Sequence, residues 1–295
     1  MALLLLVGCA RDPERATVKR VDALLDQNQT LAALDVVETY LRQHPDCVPV
    51  LEMRVVVLLR LNRSDQAAIA LQQIHAGPPM LPPLLHHRDR TVRVNAARLI
   101  AEQPDQGDSR ELISALNDPD PNVRRYCAHA LGHLKDPDAI KPLFRLLADD
   151  NWFVRAEAAI ALGEIGDPRA VGWLIQLLAD RDGYVNYSAA VALSKLACDS
   201  TRPQLVRAMS TADGPQRFGI AIALAKLHDP AALGPLTDAA MEKDPDLRRR
   251  AAEALGEYGQ KDATNALAAL SVDADASVRK QAAEALQRIN ATKSR

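Results

Sequence analysis

The sequence predicts an all-α chain, a right-handed α-α superhelix made of stacked helix pairs. Three observations carry this. The stretch Asp120-Pro121-Asn122-Val123-Arg124 returns every 31 residues: Val123 steps to Val92, Val154, Val185, Gln216, Leu247 and Val278. The residues that follow are Arg93, Arg124, Arg155, Asn186, Arg217, Arg248 and Arg279, and an Asp or Asn stands three places before each step. Alanine holds the fifth place after every step, from Ala97 to Ala283, and Ile100 or a leucine holds the eighth. Finally, 48% of the residues are hydrophobic but only 3% are aromatic, so the core is Leu, Ile, Val and Ala, a composition suited to close helix packing. A fixed period of this length marks a solenoid, in which each unit buries its apolar face on its neighbours.

Residues 1–9 are apolar and end in Cys9, a run well short of the roughly 20 residues needed to span a bilayer. Leu6-Val7-Gly8-Cys9 resembles a bacterial lipobox, where the signal is cut before a cysteine that receives lipid. The resemblance implies a lipidated Cys9 and a membrane-anchored lipoprotein facing the periplasm or cell surface. Ala10 in place of Asp leans, by resemblance to enteric lipoproteins, toward the outer membrane. The positive n-region of a signal is missing. The alternative is a chance match in a cytoplasmic protein.

Residues 10–79 follow another period, 34: Leu24-Leu25 recurs as Leu58-Leu59, Asn28 as Asn62, Ala33 as Ala67 and Pro45 as Pro79. Each unit reads as helix, turn, helix, with Leu31, Leu34, Val37, Tyr40 and Leu41 at helical spacing. These positions resemble tetratricopeptide repeats, although the family's aromatic and Gly positions in the first helix are unmatched. Pro78, Pro79, Pro82 and Pro83 then punctuate the chain, since prolines so close together end a helix.

Residues 80–292 hold seven units of 31, before a tail at 293–295. In the third, Ile140, Leu143, Leu146 and Leu147 form one face of a first helix. Asp149-Asp150-Asn151 makes the turn, with Asn151 placed as N-cap, and a second helix runs from Val154 to Ile165 with Gly166 as its C-cap. Asp-x-x-Val-Arg, the alanine at five and Leu131-Gly132, Leu162-Gly163 and Leu255-Gly256 resemble the HEAT-like repeats of phycobilisome lyases. That resemblance implies a fold more than a function. A repeated Asp and Arg suit a stacking role: Asp caps helices, and an Arg column bridges to neighbouring Asp side chains and loop carbonyls. Function belongs where the units differ.

Positions zero, four, eight and eleven of the second helix point inward; two and six lie opposite, toward the concave side. In the third to fifth units those pairs are Ala156/Ile160, Tyr187/Val191 and Phe218/Ile222, apolar between charged neighbours. An apolar patch with a polar rim predicts a protein or peptide groove anchored by Tyr187 and Phe218, and Phe218→Asp is then expected to abolish binding with the fold intact. The competing reading is that curvature buries these positions between helices.

Several chemistries lack their residues. Lys plus Arg is 36 against 38 for Asp plus Glu, giving a net charge of −2 and no field for nucleic acid. Cys47, Cys127 and Cys198 form no Cys-x-x-Cys pair and read as small core residues. His129 and His133 lie four apart, but no acidic residue at a telling spacing completes a metal set, and a solvated pair is the simpler reading. HEAT-like hydroxylases hold iron with His-Glu dipeptides, and the sequence contains none. The reading is a non-catalytic interaction scaffold for an unknown protein or peptide. It has no cofactor, no nucleic-acid partner and membrane attachment only through a lipid anchor. The alternative is a lyase or chaperone-like maturation factor for a chromophore- or cofactor-carrying protein.

Overall fold

The computed structural model describes residues 13–74 and 80–293. Cys9 and the Pro78-Pro79 part of the proline cluster lie outside the described residues. Among those described, every regular element is a helix, and the chain forms two compact halves dividing at Ala130 and Leu131.

In the first half, α1 (Pro13–Asp26) pairs with α2 (Thr30–Leu41), and α3 (Val48–Arg60) with α4 (Ser64–Gln72). This is the 34-residue period. Its two asparagines, Asn28 and Asn62, both take φ 59° in the turn between paired helices. Asn tolerates this left-handed conformation better than most residues, so the chain reverses within a few residues. Ala33 and Ala67 are fully buried where the paired helices meet. The half continues through α5 (Leu81–Leu84), α6 (Arg90–Glu102), α7 (Ser109–Ala115) and most of α8 (Pro121–Leu134). A buried polar contact joins the two periods: Asn95 of α6 donates to the Leu59 carbonyl of α3 at 2.8 Å and accepts from Ser64 Oγ at 3.2 Å.

The second half holds the end of α8 and then α9 (Ile140–Leu146), α10 (Trp152–Ile165), α11 (Val171–Leu177), α12 (Gly183–Leu196), α13 (Arg202–Met209), α14 (Gly214–Lys226), α15 (Leu233–Ala239), α16 (Pro245–Tyr258), α17 (Thr264–Leu270) and α18 (Ala276–Lys293). A repeat is a short first helix followed by a longer second one. Asp136, Asp167 and Asp229 each accept from the backbone N–H two residues on, setting a 3₁₀ turn that leads into a first helix. Asn151, Asp182, Asp244 and Asp275 cap the second helices in the same way. Gly166 and Gly259 end α10 and α16 at φ 82° and 68°.

The Leu-Gly pair has a packing cause. Leu131, Leu162, Leu193, Leu224 and Leu255 are fully buried under the first helices. The next residue faces the following second helix at backbone distance: a Cβ on Gly163 would sit 2.8 Å from Ala192 Cα, and one on Gly132 2.7 Å from Ala161 Cα. Glycine and the facing alanine let consecutive second helices touch. The interface buries Leu and Ala together, each buried CH₂ being worth about 0.8 kcal/mol.

The Arg column bridges as expected. Arg155 donates from Nε and Nη2 to both carboxylate oxygens of Asp180 at 2.7 and 2.8 Å, and its Nη1 donates back to the Asp149 and Asp150 carbonyls. Arg93 with Asp118 and Arg248 with Asp273 repeat the fork. Each such Asp also accepts the backbone N–H two residues later, as Asp180 does from Asp182 at 2.9 Å. One guanidinium thus ties its own turn to the turn of the next repeat.

The column lapses around the fifth repeat. Asn186 keeps the bonds to the Leu178 and Asp180 carbonyls, but Thr211 stands where its Asp partner would be. The Arg217 side chain is exposed and makes no hydrogen bond or ion pair among the described residues. Asp213 supplies no side-chain cap to α14, and Gln216 replaces the buried valine.

Of these three forks Arg155–Asp180 is the best protected, its two side chains 6% and 10% exposed. Burial by itself would raise the Asp180 carboxyl, but the Arg155 fork and the Asp182 N–H outweigh it and hold it below the ordinary aspartate value. A depressed folded pKa contributes stability that is fully present above about pH 4 and lost as pH falls through the folded value. Asp180→Ala is expected to cost about 3 kcal/mol at pH 7 by leaving the guanidinium unpaired. The gap from wild type should shrink below pH 4, measured by urea unfolding at several pH values; a pH-independent gap contradicts the fork's role.

Candidate protein-binding surface

At 3.6 residues per turn, the residue just before the repeat's valine position and the second and sixth after it share an arc of about 60°. On α10 these are Phe153, Ala156 and Ile160; on α12, Tyr184, Tyr187 and Val191; on α14, Phe218 and Ile222 are the second and sixth. The structure divides the expected patch. Tyr187 is 41% exposed, and Ile160, Val191 and Ile222 are half-buried. Ala156 and Phe218, expected on the surface, are only 1% and 9% exposed. For these two the packing reading holds. Alanine is too short to emerge between second helices in contact, and the Phe218 ring lies under Arg250. Phe218→Asp is therefore a destabilising change and a poor probe of binding.

The exposed part of the surface runs further along the helix starts. Phe153 is 44% and Tyr184 51% exposed. Trp152 stacks on Phe153 with ring centroids 3.4 Å apart and meets Tyr184 edge-on at 5.6 Å. Tyr184 lies 6.5 Å from Tyr187. Capping by Asn151 and Asp182 fixes the first turns that carry Phe153 and Tyr184. A further stacked pair, Phe144 and Trp173 at 5.4 Å, sits on the first helices α9 and α11.

Arg250 of α16 closes the strip. Its guanidinium carbon stands 4.6 Å from the Tyr187 ring centroid and 5.2 Å from that of Phe218, within cation–π range. Its Nε is buried without a hydrogen-bond partner, and burial lowers the guanidinium below the ordinary arginine value. Its neighbour Arg249 is compensated, by Asp246 at 2.7 Å and Glu253 at 3.8 Å.

Trp152, Phe153, Tyr184 and Arg250 were missed by a column reading confined to positions two and six. A signal for the rings was present: seven of the ten aromatic residues fall between 144 and 218. Arg250 left none, because it reaches past the neighbouring repeat to a ring 63 positions earlier.

The cysteines separate by environment. Cys127 is buried, as expected of a small core residue, and burial pushes its thiol well up. Cys47 is half-buried, with its sulfur 3.6 Å from Glu14 Oε2. Cys198 departs from the expectation: it is exposed in the loop before α13, where the Asp-Pro turn is missing. The hydroxyls of Ser200 and then Thr201 bring its thiol down to about 7. Among the described residues no group of three or more His, Cys, Asp or Glu is placed to hold a metal, and no helix is long and apolar enough to cross a membrane.

The HEAT repeat family profile matches residues 109–194, 171–246 and 235–295, more than half the chain. The chain belongs to the HEAT repeat family. No curated protein matches the sequence. Among solved structures, an engineered protein is 22% identical, covering 94% of this chain and 84% of its own, with a TM-score of 0.49. The phycocyanin lyase complex of CpcE and CpcF from Nostoc sp. is 22% identical over 74% of this chain and 95% of that one, with a TM-score of 0.47. A designed armadillo repeat protein in complex with the peptide (KR)4 is 19% identical over 73% of this chain and 100% of that one, also at 0.47.

Alkylation of the folded protein by iodoacetamide is expected to modify Cys198 first, with a rate that rises through about pH 7. Cys127 should react only after unfolding. Mass mapping of a pH series checks this, and equal labelling of both sites contradicts the assignment.

Proposed function

We propose that this chain is a non-catalytic scaffold binding a protein or peptide on the second-helix face of the third to fifth repeats, tethered to a membrane by a lipid on Cys9. The observation that carries the binding reading is the run of exposed rings, Phe153, Tyr184 and Tyr187, on consecutive capped helices. Rings of this kind supply large contact area at little conformational cost and concentrate binding energy. Ile160, Val191 and Ile222 extend the apolar surface beside them, and Arg249 and Glu253 border it with charge. A packed helical frame presents the face already ordered, so association does not have to order it. The tether rests on the Leu6-Val7-Gly8-Cys9 run.

Crosslinked affinity capture from the native membrane fraction tests both parts. Wild type is expected to recover a discrete partner. Tyr187→Ala should recover about a tenth as much with its circular dichroism unchanged. Cys9→Ser should move to the soluble fraction and keep binding. Undiminished capture by Tyr187→Ala contradicts the surface, and membrane retention of Cys9→Ser contradicts the tether.

A further inference from the structure

We propose that Arg250 is an anion anchor on this face, receiving a carboxylate from an acidic side chain of an extended peptide whose flanking apolar residues lie on Tyr187 and Tyr184. This rests on the binding surface proposed above and adds the chemistry of its occupant.

The charge accounting around Arg250 carries the inference. On α10 and α16, Arg155 and Arg248 are spent on the stacking forks, and Arg249 is balanced by Asp246 and Glu253. The Arg250 side chain has neither hydrogen bond nor ion pair among the described residues, and its Nε is buried. Arg98 and Arg125 also bury an unpartnered Nε, but Arg98 stands 3.9 Å from Glu102 and Arg125 donates to the Tyr126 hydroxyl. A buried donor without a partner costs free energy, and the Arg250 side chain has no other polar contact to offset it. Its two ring contacts fix the guanidinium. With Nε buried, the edge left for a ligand is that of the two terminal Nη groups, which matches a carboxylate with two parallel hydrogen bonds.

The surroundings narrow the ligand. Asp246 and Glu253 lie near enough to act on the Arg250 charge. A polyanion such as a nucleic acid needs a row of cations, whereas a single carboxylate needs one guanidinium, and Arg249 offsets the two acids beside it. The rings on either side call for apolar neighbours in the ligand. The exposed Phe153, Tyr184 and Tyr187 lie on successive second helices, which suits an extended segment crossing them.

The test uses the full chain and two synthetic libraries of fluorescein-labelled ten-residue peptides. Both carry random apolar residues; one has a fixed central Glu and the other a fixed central Gln. Fluorescence anisotropy is expected to give wild-type binding at least tenfold tighter for the Glu library. Arg250→Met keeps the apolar stem and should abolish that preference; Arg250→Lys should keep part of it. Thermal melting adds an independent readout: Arg250→Met should melt no lower than wild type, since it removes a buried donor that has no partner. Equal affinity for the two libraries, with loss of both in Tyr187→Ala, overturns the anion anchor and leaves the binding surface standing. No binding of either library overturns the anchor as well. So does a marked fall in the melting point of Arg250→Met, which would make Arg250 structural. Tighter binding of a labelled single-stranded oligonucleotide than of the Glu peptides would also reject the proposal.

Discussion

The guanidinium fork between one repeat and the next is the contact on which the stack depends. A solenoid repeat touches only its neighbours, so its stability is an intrinsic term plus the interfaces on either side. In this chain each fork joins three segments. Arg155 holds the two turn carbonyls before its own helix and both oxygens of Asp180 in the following turn, and Asp180 in turn holds the backbone of Asp182. The bonds are charge-assisted and shielded, which makes them stronger than surface pairs. The apolar interface supplies most of the free energy, and the fork fixes its register.

Seen from that contact, the fifth repeat is the irregular one. Asn186 cannot reach across to it, Arg217 does not reach out of it, and Asp213 does not cap its second helix. The same stretch of chain carries Tyr187 and Phe218, and Arg250 from the sixth repeat spans the interval. Near the relaxed positions Asn186, Thr211 and Gln216, the variable positions carry Tyr187 and Phe218, of which Tyr187 faces solvent. Residues that recur in every unit build the frame; the proposed binding surface is drawn from those that do not recur.

The periods, the caps and the Arg column were legible in the sequence because each is a local rule repeated many times. Asn151 and Gly166 do what their spacing predicts. The candidate surface was legible only in part. A helical wheel gives direction but not depth, so it cannot tell that Ala156 is closed over while Tyr187 is open. Nor does it carry the long reach of an arginine, and Arg250 over Tyr187 follows from how three second helices are spaced. Cys198 escaped for a related reason: the loop before α13 breaks the repeat, so no column defines its surroundings.

The most direct measurement of this account is amide hydrogen exchange by mass spectrometry across residues 131–293. If the forks add to the strength that apolar packing gives each interface, the fifth repeat, α13 and α14, should open most readily. Its core amides should then exchange at least about tenfold faster than those of α10 and α16, a difference in opening free energy of roughly 1.4 kcal/mol. Protection of α14 equal to that of α10 and α16 would contradict the claim and assign the stability of the stack to apolar packing alone.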